Sequence, residues 1–138
     1  GGYLTSMIGL DKRWLEPYGI DPDTAFVALI PYSGQVVTHF ERRRELGLPD
    51  TQPLVDDMAP LSYVRPDCRP MLILSGDRER EMLGRYEENA YFWRMMRVAG
   101  HPDVRICEFD GFDHGNMPQA GHFVAVRYIR EMERRMDR

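Results

Sequence analysis

The residues best placed to do chemistry are Asp110-Gly111-Phe112-Asp113-His114-Gly115, which come after an apolar run. An earlier apolar run, Met71-Leu72-Ile73-Leu74, ends likewise in Ser75-Gly76-Asp77-Arg78-Glu79. Two parallel strands joined by a helix end at the same edge of a sheet. Open α/β sheets bind ligands at that edge. An acid and a histidine therefore fall within reach of each other. A carboxylate that orients an imidazole makes two of the three members of an acyl-transfer triad. The third member, a nucleophile, is what the chain lacks.

His114 is flanked by Gly111 and Gly115, which leave room for backbone to approach a ligand closely. Asp77 and Glu79 both stand after the earlier strand. One is expected to cap the next helix and the other to hold His114. Glu81 is a third candidate, with pairing to Arg85 at i,i+4 spacing as its competing role. His101 comes after a helix-ending glycine and precedes Pro102, so it reads as a surface turn residue. His39 sits on a charged helix, and His122 lies near the start of the last helix. His101, Asp103, Cys107, Asp110, Asp113 and His114 show no recognised zinc or calcium spacing. No GxGxxG, GxxxxGK or CxxC motif occurs, so no cofactor is expected.

The elements that must position these residues can be read from periodicity. Tyr3 to Leu10 has helical spacing, and Trp14 to Asp23 is turn-rich. Ala25 to Ile30 is a continuous apolar run closed by Pro31 and Gly34, the pattern of a buried parallel strand. Val36 to Leu46 is helical and highly charged. Leu48 to Pro70 is mostly loop with one short helix. Met71 to Leu74 is the second strand. Glu79 to Val98 is a helix with Met82, Tyr86, Ala90, Trp93 and Met96 as its inner stripe. Val104 to Phe109 is the third strand. Phe123 to Met136 is a terminal helix with Phe123, Val126, Ile129, Met132 and Met136 inward. This alternation implies a parallel sheet with helices on both faces.

The chain has 138 residues, 43% hydrophobic and 29% charged, which suits one small globular domain. A net charge of -4 gives no general attraction to nucleic acid. Arg42-Arg43-Arg44 stands between Glu41 and Glu45 and reads as a solvated helix face. Cys68 and Cys107 would be too far apart along parallel strands for Cα atoms within about 7 Å, so free thiols are expected. No apolar run approaches the ~20 residues of a membrane span. The opening Gly1-Gly2-Tyr3, without methionine, reads as a piece of a longer protein.

Ser75-Gly76-Asp77-Arg78-Glu79 after one strand and Gly111-Phe112-Asp113-His114-Gly115 after the next resemble the C-terminal half of α/β-hydrolase esterases and lipases. Met58-Ala59-Pro60-Leu61, then Pro70-Met71-Leu72-Ile73-Leu74, is similar to the segment leading into that family's seventh strand. The resemblance implies a truncated α/β-hydrolase fold over residues 1–138, with three parallel strands and flanking helices. It also implies a small-molecule ester substrate for the parent. Gly1-Gly2-Tyr3-Leu4 resembles the residues just after the serine of the family's G-x-S-x-G elbow, which would place the nucleophile two residues before Gly1. Ser6 and Ser33 are poor substitutes, one inside a helix and the other without the elbow glycine. By the resemblance Glu79 and His114 carry over as orienting acid and general base, with Asp77 in reserve. The strand Ala25 to Ile30 would then expose an edge open to self-association. Two other readings stay open. One is a non-catalytic α/β binding module with a structural Asp113-His114 loop. The other is a serine peptidase or amidase parent of the same fold.

Overall fold

The structure is a computed structural model and describes residues 1–137. Helix α1 (Gly2–Leu10) leads into two single turns and a short helix, α2 (Pro22–Ala25). After an extended segment comes α3 (Phe40–Glu45), and then a long irregular stretch. Strand β1 (Met71–Gly76), helix α4 (Arg85–Val98), strand β2 (Val104–Phe109) and helix α5 (Met117–Met136) complete the order.

The two strands pair in parallel, with Met71 opposite Val104 and Gly76 opposite Phe109. Their last residues therefore end level at one edge. Every residue of β1 is buried, as a strand covered on both faces requires. Met71 and Ile73 pack with Leu10, Leu29, Phe92 and Met96 on one face. Leu72 and Leu74 pack with Met117, Tyr128 and Met132 on the other. The chain is thus an α/β fold with helices on both sides of a parallel sheet.

The strand expected over Ala25 to Ile30 is not a full strand, and Ala25 instead ends α2. Residues 29–33 run beside β1 and form only isolated parallel bridges, Leu29 with Met71 and Tyr32 with Leu74. Leu29 and Ser33 donate amides to Pro70 and Leu74, and Leu29 and Pro31 accept from Leu72 and Leu74. The polar backbone groups of Ala28 and Ile30 point the other way, where no partner strand lies among the described residues. A segment paired on one side alone stays short of a regular ladder.

Three helix expectations also shift. Helix α4 begins at Arg85 rather than Glu79, because Gly84 takes a left-handed φ of 88° and interrupts the turn. Its inner stripe is Arg85, Asn89, Phe92 and Met96. Helix α5 starts at Met117, with Pro118 in its first turn. It buries Met117, Gly121, Ala125, Tyr128 and Met132, and leaves Phe123, Val126, Ile129 and Met136 exposed. Helix α3 is short, since residues 33–36 ahead of it are tied to β1 and α4 instead of continuing a helix.

Candidate active site

Gly76 ends β1 at a crowded point. A Cβ there would lie 2.6 Å from the Phe112 carbonyl and 2.9 Å from Glu81 Cγ. Only glycine lets the loop after β2 cross over the loop after β1. Asp77 ties the two loops together. Its amide donates to Phe112 O at 2.8 Å, and its carboxylate accepts from Gly111 N at 2.8 Å and Glu79 N at 2.9 Å. Those backbone donors, Gly111 first, hold the Asp77 carboxyl below its usual range. Asp113 caps its own turn by accepting from Gly115 and Asn116 amides, each at 2.9 Å.

His114 stands on that turn with Nδ1 facing inward. Its partner is neither Glu79 nor Asp77. Glu81 Oε2 lies 3.0 Å from His114 Nδ1, and the Glu81 side chain is fully buried. Asp77 is spent on the loop amides. Among the described residues no hydrogen bond joins Glu79 to His114, and Glu79 lies on the exposed outer side of the turn. The competing ion pair of Glu81 with Arg85 is not formed either. Arg85 reaches back to the Ser33 carbonyl at 2.6 Å. The physical reason is the turn over 77–84. A helix from Glu79 would have spread 79 and 81 around its surface, whereas the turn folds Glu81 under it. Gly84 is the signal for this in the sequence.

The Glu81 carboxylate is buried but well supplied with donors. Ser33 Oγ and the Gly76 amide donate to Oε1, the latter at 3.2 Å, and the Met82 amide donates to Oε2 at 3.1 Å. A buried carboxylate needs such partners. Since a carboxylate only accepts, Nδ1 carries the imidazole proton and Nε2 keeps its lone pair. Among the described residues none hydrogen-bonds Nε2, and the ring side chain is 48% exposed.

Ser33 enters from the sequence only as a poor substitute nucleophile, and the structure gives it another place. It is 2% exposed, so its hydroxyl is closed to a substrate. It holds a left-handed φ of 45°, which costs a non-glycine residue about 1–2 kcal/mol. The turn is pinned from three sides. Ser33 N donates to Leu74 O at 2.7 Å, Asn89 Nδ2 donates to Gly34 O at 2.9 Å, and Val36 N donates to Glu88 at 2.6 Å. Burial raises the Glu88 carboxyl above its ordinary range. These contacts explain the polar residues on the inner face of α4, which a hydrophobic stripe could not reveal.

Gly34 meets the start of α1 backbone to backbone. A Cβ on Gly34 would lie 2.4 Å from Gly2 C, and one on Gly2 would lie 2.6 Å from Tyr32 O. The first turn of α1 therefore sits against the Ser33 turn. Between them is a cavity of about 140 Å³, lined among others by Gly1, Gly2, Ser33, Gly34, Phe40 and His114. Ser6 is 1% exposed inside α1 and does not open on it. His39 caps α3 by accepting from Glu41 N, and burial holds it below the usual imidazole range. His122 bonds Tyr32 Oη at 2.9 Å. His101, expected at the surface, is 7% exposed and bonds the Cys68 carbonyl at 3.0 Å. Both cysteines are free thiols. Among the described residues no group of three or more His, Cys, Asp or Glu is placed to hold a metal, and no helix is long and apolar enough to cross a membrane.

No protein-family model matches the chain, and no curated protein does. Among solved structures it is similar to a thermophilic esterase from the Planctomycetes species Thermogutta terrifontis. With propionate bound, that protein aligns at a TM-score of 0.68 and 20% identity, over 96% of this chain and 53% of its own. Its native form gives 0.68 and 19% over 96% and 52%, and its apo form 0.65 and 19% over 95% and 52%. The chain spans about half the length of the structures it matches. At these identities the likeness shows a shared fold: this is an α/β fold resembling that of an esterase.

Proposed function

We propose that this chain is the C-terminal part of a serine ester hydrolase and contributes its acid and histidine. The observation that carries the reading is the buried Glu81 carboxylate on His114 Nδ1, with Nε2 free beside the first turn of α1. In this reading a serine two residues before Gly1 gives its proton to His114 Nε2 as it attacks the ester carbonyl. Glu81 keeps the imidazole in the Nδ1–H tautomer and stabilises the imidazolium. The proton then passes to the leaving alcohol, and water hydrolyses the acyl-enzyme. The substrate class is a short-chain carboxylic ester, since structures of the Thermogutta terrifontis esterase are described with propionate and with butyrate bound.

The test is the coding sequence upstream of Gly1 and the activity of the extended protein. A G-x-S-x directly before Gly1, and turnover of p-nitrophenyl propionate by the extended form, support the reading. The 138-residue chain alone should give no stoichiometric burst, because loss of a triad nucleophile costs on the order of 10⁶ in rate. A start codon or unrelated sequence at that point turns the reading toward a non-catalytic module. Turnover of amides in place of esters moves the parent to the amidases.

A further inference from the structure

We propose that Ser33 is a positioning residue of this site, resting on the reading of Glu81 and His114 as an acid–histidine pair. Its hydroxyl does two things at once. It donates to Glu81 Oε1, and its oxygen lies 3.1 Å from His114 Nδ1. With the 3.0 Å contact from Nδ1 to Glu81 Oε2, the three side chains close a ring. The single Nδ1 proton is shared between carboxylate and hydroxyl, while the hydroxyl proton is committed to the carboxylate. Neither group has a second orientation that keeps all three bonds. The imidazole is thus gripped at two points on one nitrogen, which fixes both its tautomer and its plane. The plane decides where the Nε2 lone pair points.

The backbone is arranged to hold that hydroxyl. Ser33 is buried and left-handed, a conformation that a residue without a task there could avoid by being glycine. Its amide is held by Leu74 O and its carbonyl by Arg85 Nη1 at 2.6 Å. Asn89 anchors the next residue. Helix α4 and strand β1 therefore aim the hydroxyl from opposite sides. The neighbouring position already is glycine, so the turn could accept a second one.

The experiment uses the chain as it stands, labelled with ¹⁵N-histidine. Long-range ¹H–¹⁵N spectra above the imidazole titration read the ratio of Nδ1–H to Nε2–H tautomers at His114. Ser33→Gly removes the hydroxyl and suits the left-handed backbone, so the fold should persist. Ser33→Ala serves as the companion variant. Expected is a strong Nδ1–H preference in the parent sequence, reduced about fivefold in both variants, the worth of one net hydrogen bond. A structural role alone would leave the tautomer ratio untouched. Glu81→Gln separates the two claims. Its amide keeps the carbonyl on Ser33 and Gly76 and turns the NH₂ toward Nδ1, which inverts the preference. If Glu81→Gln inverts the ratio and Ser33→Gly leaves it unchanged, Ser33 is not a positioning residue and the pair stands. If Glu81→Gln leaves it unchanged as well, both claims fall.

Discussion

Glu81 Oε2 and His114 Nδ1 meet at 3.0 Å across 33 positions of sequence, with Glu79 close by in the chain and turned outward. In a form of the protein that carries the nucleophile, Glu81→Gln is expected to lower kcat by about 10⁴, the penalty of the wrong imidazole tautomer. Glu79→Gln should leave kcat within a factor of about two, as exposed substitutions do. Equal losses in both variants, measured by steady-state ester hydrolysis, would return the acid role to the loop as a whole.

Gly34→Ala puts a methyl group against the backbone of α1, 2.4 Å from Gly2 C. Backbone cannot swing aside as a flexible side chain does. The expected loss is at least the ~1–3 kcal/mol of an overpacked site, read from urea unfolding. Gly111→Ala, where nothing lies within 4 Å of the added carbon, should cost only the strain of its left-handed φ.

Acid weakens this fold through two ion pairs. Arg65 grips Asp23 with contacts of 2.7 and 2.8 Å and also reaches the carbonyls of Gly9 and Leu10 at the end of α1. It holds the Asp23 carboxyl below the ordinary carboxylate range. Arg105 holds Glu131 at about 2, down from 4.5. A carboxyl lowered in the folded state stabilises it fully above the unfolded value and loses that contribution as pH falls through the folded one. Stability should therefore decline from about pH 5 toward pH 2. Asp23→Asn should cost about 1–3 kcal/mol at pH 7 and much less at pH 2. A thermal-unfolding difference independent of pH would contradict this.

The thiols should be inert in the folded protein. Burial pushes Cys68 up to about 11 and raises Cys107 as well. The thiolate is the reactive form. Labelling with iodoacetamide near pH 7.5 should be slow for both and become fast in guanidinium chloride. Rapid native labelling at Cys68 would show that the segment leading into β1 opens locally.

Among the described residues no strand pairs the outer side of residues 28–32, and we expect the chain to self-associate through that edge. Apparent mass by light scattering should rise with concentration. Ala28→Pro removes an outward amide and should suppress the effect without touching the bonds to β1. A monodisperse monomer at all concentrations would rule the edge out as a contact.

Much of the frame is legible in the residues. Met71 to Leu74 is an apolar run, Val104 to Phe109 carries Val104, Ile106 and Phe109 among polar residues, and both strands form there, β1 extending on to Gly76. Helix α1 starts at Gly2, next to its expected start at Tyr3. The histidine on the loop after β2 does face the loop after β1. The misses concern mostly which face turns inward. Phe123, Val126 and Ile129 form a good apolar stripe, yet α5 rotates to bury Gly121, Ala125 and Tyr128 instead. Gly121 allows the close approach, since a Cβ there would already lie 3.1 Å from the Tyr32 ring.

Local apolar runs are enough to place the two strands and their parallel order. The rule that parallel strands end at one edge is enough to single out His114. The acid and the role of Ser33 emerge only when the chain is folded. Choosing among residues 77, 79 and 81 depends on how the turn over 77–84 closes. That turn is set in part by the Gly111 amide, 34 positions from Asp77. The Ser33 hydroxyl meets Glu81 across 48 positions, a contact that no local pattern encodes.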